Sequence, residues 1–570
     1  MVDHAGVVAT RFNGLHQPLG GVQLGVPGQD YDVHGEGWKW SKNRRRSVHL
    51  RAVRPISSFG TWNVPPARPL LVLTVVALVP RLLAALFSQG YFAHDDHFLV
   101  IEAAGSWADG FDYNHWLPWN QGDTPRPSGH SFFYVGLHYL LFVGLKPIGL
   151  GDPKTMMVVV RLLHAVWSLL VVRLGYRIAL RLSNPVIAWR TGLFLALFYF
   201  MPFLAVRNLV EVACIPLLMA GCWQLVREPS APGARRVLVA GVLIGLAINI
   251  RFQTLFFAAG PGLALLFQRR WGPAVLYAIG VALPVVVVQS AIDLFLWGRP
   301  FAELTEYVLY NMANTTTYFD QPWYNYLLLL LGVFIPPLSV AVFFGFFRRT
   351  SPLLLWLPVL LFLAIHSYFP NKQERFLFPI VPLFFVLGYV SWEQWRAAST
   401  WWARHAGLWR GVLLFAAVIN TLALLLITTS SSKRSRVEAM STLRAHSDVR
   451  GILVEDTPVG TAPMPPLFYS GHWSMAVEPW TDATKDLGER LAAFPDSTRP
   501  NYVLFVGEED LPARALRTTQ AIGPLQVVDR VRPGALDRLV HWLNPVNRNE
   551  TILVARVTRP RTSARSDPAK

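Results

Sequence analysis

Between Tyr91 and Ser131 the chain reads YFAHDDHFLVIEAAGSWADGFDYNHWLPWNQGDTPRPSGHS. The stretch gathers Asp95, Asp96, Glu102, Asp109, Asp112 and Asp123, interleaves His94, His97, His115 and His130, and is dense in Trp, Tyr and Phe. Apolar runs lie on both sides, Leu70 to Phe87 before it and Phe132 to Leu150 after it. Acids, imidazoles and rings held against a membrane surface suit sugar chemistry or ion handling better than a linker. A carboxylate can take the proton from an attacking hydroxyl. A second one stabilises the positive charge that develops on a sugar ring in the transition state. Neighbouring side chains tend to point apart, so Asp95 and Asp96 are expected to differ in role, one as base and the other as a loop anchor or helix cap. Two other readings compete: an acidic cap under a solvated face, and a metal site from Asp95, Asp96 and His97, whose spacing matches no fixed ligand pattern.

An anionic leaving group needs cations, and arginine's fork suits phosphate. The candidates are Arg126, Arg207, Arg251, Lys372 and Arg375. Arg207 opens RNLVE, with Asn208 beside it and Glu211 four residues on, on the same face of a helix. Arg251 follows the apolar GLAINI and precedes Phe252 and Gln253. Lys372, Glu374 and Arg375 stand at the lip of an apolar run. Charge beside hydrocarbon is costly unless paired, so these residues mark either function or a structural Glu–Arg pair. The segment 297–325 adds a polar, aromatic loop with Glu303, Tyr310, Asn311, Tyr318, Asp320 and Trp323. Trp107, Tyr113, Trp116 and Trp119 fit a membrane-interface belt or sugar stacking.

The elements that must position these groups are spans. The 570 residues are 52% hydrophobic and only 15% charged, against about 25% charged in soluble domains, and mean hydropathy is positive. Apolar runs recur at the length of a bilayer crossing, at 70–88, 132–150, 156–178, 185–206, 208–226, 237–251, 253–268, 272–296, 326–346, 352–369, 375–391 and 410–428. The expected fold is therefore a polytopic α-helical membrane protein. The net charge of +17 sits largely in short connections, as positive-inside bias and anionic lipid require, so nucleic acid is not an expected partner. Residues 1–66 read as a disordered, basic, cytoplasmic tail with KWSKNRRRSVHLRAVR just before the first span. That places the loop 89–131 outside, and basic connections at Arg235/Arg236, Arg269/Arg270, Arg348/Arg349 and Arg396–Arg410 place 297–325 and 370–374 on the same side. Twelve simple crossings contradict that assignment at the C-terminus, so one expected segment within 132–206 fails to cross or splits. The two cysteines, Cys214 and Cys222, fall in one apolar run and exclude a disulfide framework. Beyond 430, short apolar strands at 451–454, 502–507, 525–531 and 551–557 alternate with helix candidates at 482–494 and 534–543, and predict a small soluble, non-cytoplasmic α/β domain over 431–560, followed by a tail at 561–570.

In this order the motifs resemble the Alg9-like mannosyltransferases, glycosyltransferase family 22 of the C-type superfamily. Lys372-Gln373-Glu374-Arg375-Phe376-Leu377-Phe378-Pro379 is similar to the family's HKEERFLFP, with Asn371 and Gln373 at its His and first Glu. His94-Asp95-Asp96, Phe98 and Glu102 resemble its HPDE element, and Asp95 falls at the Asp proposed as catalytic base. Arg126 with Ser128, Arg207/Asn208/Glu211, Arg251, and Asp293 with Tyr310, Asn311 and Trp323 look like its remaining polar elements. The resemblance implies a C-type glycosyltransferase fold, a non-cytoplasmic active site, and transfer of a sugar, usually mannose, from a polyprenyl- or dolichyl-phosphate donor to a glycan or glycolipid acceptor with inversion. It implies Asp95 and Asp96 as catalytic residues, the five cations above as donor-binding groups, and His94, Glu102, Asn208, Glu211, Tyr310, Asn311, Trp323 and Glu374 in support. No metal or other cofactor is required in principle, because protein cations can neutralise the leaving phosphate. The long tail and C-terminal domain fit a divergent, bacterial member in the plasma membrane; a eukaryotic member would sit in the ER. A flippase of lipid-linked sugars and a polymerase of envelope glycans are the alternatives.

Overall fold

The computed structural model describes residues 64–317, 320–484 and 486–558; the N-terminal tail up to 63, Tyr318 and the tail from 559 lie outside the described residues. Among these, four helices are long and apolar enough to cross a bilayer: Pro69–Phe87, Pro153–Leu182, Trp271–Trp297 and Ala406–Thr428. Six shorter apolar helices accompany them: Phe132–Leu145, Pro185–Leu197, Val210–Val226, Phe252–Phe267, Leu338–Phe347 and Leu353–Tyr368. The chain is a multi-pass integral membrane protein.

Several expected spans prove to be broken. The run 185–206 divides into Pro185–Leu197 and Phe200–Ala205, 208–226 into Val210–Ala213 and Ile215–Val226, and 326–346 into Asn325–Val333 and Leu338–Phe347. Each break has proline beside it, at Pro202, Pro216 and Pro336–Pro337, where the missing N–H and the ring interrupt the ladder. The run from 375 begins as a tight turn, Glu374–Leu377, and becomes helix only at Val381–Ala398. The polar segment 297–325 holds a helix, Ala302–Ala313. Small residues allow close packing where the site needs it. A Cβ on Gly241 would lie 2.4 Å from the Tyr277 carbonyl oxygen, so the helix Ala234–Ile250 sits directly against Trp271–Pro284 and delivers Arg251 at its end.

The C-terminal part forms one five-stranded sheet from β1 (Gly451–Glu455), β2 (Ala476–Trp480), β3 (Tyr502–Val506), β4 (Leu525–Val531) and β5 (Ile552–Val557), in the order β2-β1-β3-β5-β4. β1 pairs in parallel with β2 and β3, and β5 runs antiparallel between β3 and β4. Strand β2, AVEPW, carries a proline and few β-branched residues, which is why its sequence pattern is weak. Alternation divides the two faces. Ile452, Val454, Tyr502, Leu504, Val506 and Val554 face one cluster, whereas Leu453, Val503, Phe505 and Ala555 face another with Leu487 and Leu491. The first of these clusters continues into Phe98, Ile101, Phe132, Val135 and Phe142 of the membrane part. One hydrophobic cluster therefore runs from the sheet through the connection between β1 and β2, at Leu467–Trp473, to the first loop.

Candidate active site

Asp95 and Asp96 stand at the head of a helical stretch that winds as a π-helix over Asp96–Glu102 before tightening to Ala103–Ala108. Such wide turns are rare and recur at functional sites. Both carboxylates converge on Arg375, which the turn Glu374–Leu377 presents from the other side. Arg375 Nη1 donates to Asp96 Oδ2 at 2.6 Å and Nη2 donates to Asp95 Oδ2. The expected divergence of the two side chains is realised as two nitrogens of one fork, not as two separate sites.

Behind this fork lies a second layer. Arg375 Nε donates to Gln373 Oε1 at 2.8 Å and lies 3.8 Å from Glu211 Oε1. Arg251 Nη2 is 3.1 Å from the same Glu211 oxygen, and its Nε donates to Gln253 Oε1 at 3.2 Å. Both guanidinium groups lie over the Phe376 ring, at 5.5 Å and 5.2 Å from its centre. Gln373 thus steadies the central arginine. Asp96 is spent on structure as well: its Oδ1 accepts from the Val210 N–H at 2.8 Å, and its backbone carbonyl accepts from Asn208 Nδ2 at 3.1 Å. Asn208 Oδ1 in turn accepts from the Tyr134 hydroxyl at 3.0 Å.

Exposure separates the three acids. The side chains of Asp96 and Glu211 are 3% and 0% exposed, whereas that of Asp95 is 41% exposed. Partial withdrawal from water pushes the Asp95 carboxyl up, but the Arg375 charge and hydrogen bond outweigh it and hold the group at about 2. Burial, and then the neighbouring Glu211, move Asp96 upward instead. Asp95 is the member of this cluster that is both ionised and open to a reactant.

The other sequence candidates fall into distinct places. Arg207 is buried with its fork filled: Nη1 donates to the carbonyls of Gln89 and Gly90 at 3.0 and 2.9 Å, and Nη2 to Ser88 Oγ and the Ser430 carbonyl at 2.6 and 3.3 Å. It clasps the end of the first helix to the start of the C-terminal part. Gly90 is required there, since its φ is +86° and a Cβ would meet the Ser432 carbonyl. Glu102 is also buried, accepting from the Tyr113 hydroxyl and from the Phe468 N–H at 3.2 Å, with His97 Nε2 3.3 Å away. It fastens the loop to the connection between β1 and β2. Lys372 is buried, donates to the Phe369 carbonyl and lies 5.8 Å from the Tyr326 ring centre. His94 is exposed beside Phe98, and Glu374, Tyr310 and Trp323 are exposed. Asn311 Nδ2 donates to the Tyr307 carbonyl at 2.8 Å. Arg126 is exposed, and among the described residues no side-chain contact joins it to the Arg375 cluster.

Sequence reasoning passed over Lys433. The clasp at 88–90 and 430–432 brings it to the site, and the Asp537 carboxylate fixes its backbone by accepting from the N–H groups of Lys433 and Arg434 at 2.7 and 2.9 Å. Its ammonium lies 4.6 Å from the Tyr91 ring centre and interacts electrostatically with Asp95, Arg375 and Arg436. The only signal in the sequence was the short basic run Lys433-Arg434-Ser435-Arg436 after the last span. His130 is a further neighbour of Asp95, with Nδ1 3.3 Å from the Ser128 carbonyl. Among the described residues no three His, Cys, Asp or Glu side chains are placed so that they could hold a metal ion together.

Known proteins resemble this chain at two levels, sequence and fold. Residues 71–451 match the model of the Alg9-like mannosyltransferase family. The GPI alpha-1,2-mannosyltransferase 3 of Danio rerio is 24% identical over 384 residues, 64% of this chain and 68% of that protein. The mannosyltransferase APTG1 of Arabidopsis thaliana is 23% identical over 354 residues, 60% of this chain and 62%, under two thirds, of its own length. In three dimensions, ArnT from Cupriavidus metallidurans bound to undecaprenyl phosphate superposes with a TM-score of 0.53 at 15% identity, covering 86% of this chain and 99% of that one. Its apo state gives 0.51 at 14% identity. The fold of this chain is thus similar to that of ArnT over nearly the whole of that protein.

Proposed function

This chain belongs to the Alg9-like mannosyltransferase family, and from that premise we propose that it moves a mannosyl group from a polyprenyl- or dolichyl-phosphate donor to a hydroxyl of a glycan or glycolipid, with inversion. The observation that carries the reading is Asp95: a half-exposed carboxylate, ionised, at the mouth of an otherwise buried carboxylate–guanidinium cluster. The acceptor O–H gives its proton to Asp95 while its oxygen bonds to the sugar C1. The C1–O bond to phosphate breaks, and the electron pair leaves with the lipid phosphate. Arg375 holds Asp95 in place, and Arg251 and Lys433 supply positive charge where the phosphate departs. A low pKa makes Asp95 a weak base in solution, so its contribution is position: the carboxylate is pre-aligned and needs no reorganisation as the hydroxyl acidifies. The lipid half of the donor is suggested by the likeness of fold to ArnT, which was solved with undecaprenyl phosphate. Protein cations suffice in this scheme, so a chelator should leave the rate unchanged.

The same geometry supports a non-cytoplasmic active site. Arg235 and Arg236 begin the helix that ends at Arg251, which at 1.5 Å per residue places them roughly 25 Å from it. Arg396 likewise ends the helix that starts beyond Arg375. The acidic cluster and the basic connections thus occupy opposite ends of shared helices, as the positive-inside rule demands if the cluster faces outward. Purified protein given labelled polyprenyl-phosphate-mannose and extracted glycolipid acceptors should yield a mannosylated product with inverted anomeric configuration. Retention of configuration, or movement of intact donor across vesicles without transfer, would overturn the proposal.

A further inference from the structure

The short helix Ala535–Leu543, ALDRLVHWL, packs only part of its apolar face. Leu536 packs on a cluster of Ala93, Phe203, Leu204 and Leu209, and Ile427, the penultimate residue of the last span, packs on the same cluster. At helical spacing Leu539 and Leu543 follow Leu536 on the same stripe, with Trp542 at its edge, while Asp537, Arg538 and His541 occupy the other side. Trp542 is 77% exposed and Leu543 67% exposed. A soluble domain has no reason to carry these side chains in water next to each other. The last span shows its own outward side: Leu422, Leu425 and Leu426 are exposed along its last two turns. Because Leu536 and Ile427 pack on one cluster, the helix Ala535–Leu543 lies near the end of that span, at the depth where tryptophan and amphipathic helices settle.

We infer that Ala535–Leu543 is an interfacial helix, with Leu539, Trp542 and Leu543 seated in the headgroup layer of the bilayer, so that the C-terminal part is held on the membrane by lipid as well as by protein. The inference rests on the membrane-spanning architecture and is independent of the sugar-transfer reading. It has a consequence for the site: Asp537, in the first turn of this helix, clamps the backbone of Lys433, so the helix's seat in the bilayer sets the height of the Lys433 ammonium.

Full-length protein carrying Trp542→Cys tests this, because the native Cys214 and Cys222 are buried and leave the new thiol to be labelled. An environment-sensitive fluorophore is attached, and the protein is placed at one copy per nanodisc. Leu516→Cys serves as reference; it is 59% exposed on the helix Leu511–Ile522, which packs on the sheet face away from the membrane part. The expected result is blue-shifted emission at 542, lost when the lipids are brominated close to the headgroup and less so when brominated near the chain end, with no loss at 516. Leu543→Cys should behave like Trp542→Cys, which guards against a local distortion by one substitution. Emission at 542 and 543 that brominated lipid leaves unchanged, whether water-like or shielded only when two copies share a disc, would overturn the inference. In the second case the occupant is another copy of the chain.

Discussion

Asp95→Asn should abolish transfer and leave the protein folded. The substitution keeps shape and removes the proton acceptor. Positioned general bases contribute about 10²- to 10⁴-fold, which at ~1.36 kcal/mol per tenfold is roughly 3–5 kcal/mol of transition-state stabilisation. The cost to stability is small, because the lost ion pair is half exposed and such pairs are worth at most about 1 kcal/mol. Arg375 also keeps Asp96 at 2.6 Å, Gln373 at 2.8 Å and Glu211 at 3.8 Å. Asp96→Asn is the matched comparison. It strips a 3%-exposed carboxylate from the same fork, and breaking a buried pair costs about 3 kcal/mol or more. The assay measures kcat/KM with lipid-phosphate mannose and thermal unfolding in detergent for both variants. Asp95→Asn should lose rate at unchanged melting temperature, and Asp96→Asn should lose melting temperature by several degrees. An Asp95→Asn enzyme within tenfold of wild type would refute the assignment of the base. So would an equal loss of stability in the two variants, since exposure would then not distinguish them.

Arg375→Lys keeps a charge but loses the fork, so it frees Asp95; the Asp95 pKa rises from about 2, and the acid limb of kcat/KM moves to higher pH, whereas the wild type shows no limb from this group above about pH 4. Lys433 is held down to about 7, by burial first and by the Arg436 and Arg375 charges next. It is therefore charged below that value and neutral above it. The KM for donor should climb about tenfold or more as pH rises through this range, and Lys433→Arg should flatten the climb; a flat wild-type profile would remove Lys433 from the phosphate site. Glu102→Ala strands the Phe468 N–H, the Tyr113 hydroxyl and His97 in a buried junction, at about 1–3 kcal/mol for each unpaired group. Limited proteolysis should then release the C-terminal part, and an unchanged cleavage pattern would show that the loop does not hold it.

The chain's class was legible in its sequence because hydrophobic length is a local property. Runs near 20 residues with basic ends specify spans, and short apolar runs such as YVLFV or ILVARV, rich in β-branched and aromatic residues, specify strands whatever they pair with. The acids around Asp95 and the KQERFLFP segment were visible for the same reason: charge beside hydrocarbon has to be paired or used. Local pattern could not show pairing across 279 residues of chain, such as Arg375 with Asp96, nor which of two adjacent aspartates stays open to solvent. Arg207 and Arg251 look alike in sequence, each basic beside an apolar run, yet the fold closes one around backbone carbonyls and aims the other at Glu211. Lys433 carries no motif at all; only the clasp of residues 88–90 against 430–432 brings it to Asp95. Sequence by itself determined that the chain is a multi-pass membrane protein and which residue types are available for chemistry, since hydropathy and propensity are written residue by residue. Tertiary structure decided which of those residues share a site, because desolvation and ion pairing depend on neighbours that the chain supplies only when it is folded.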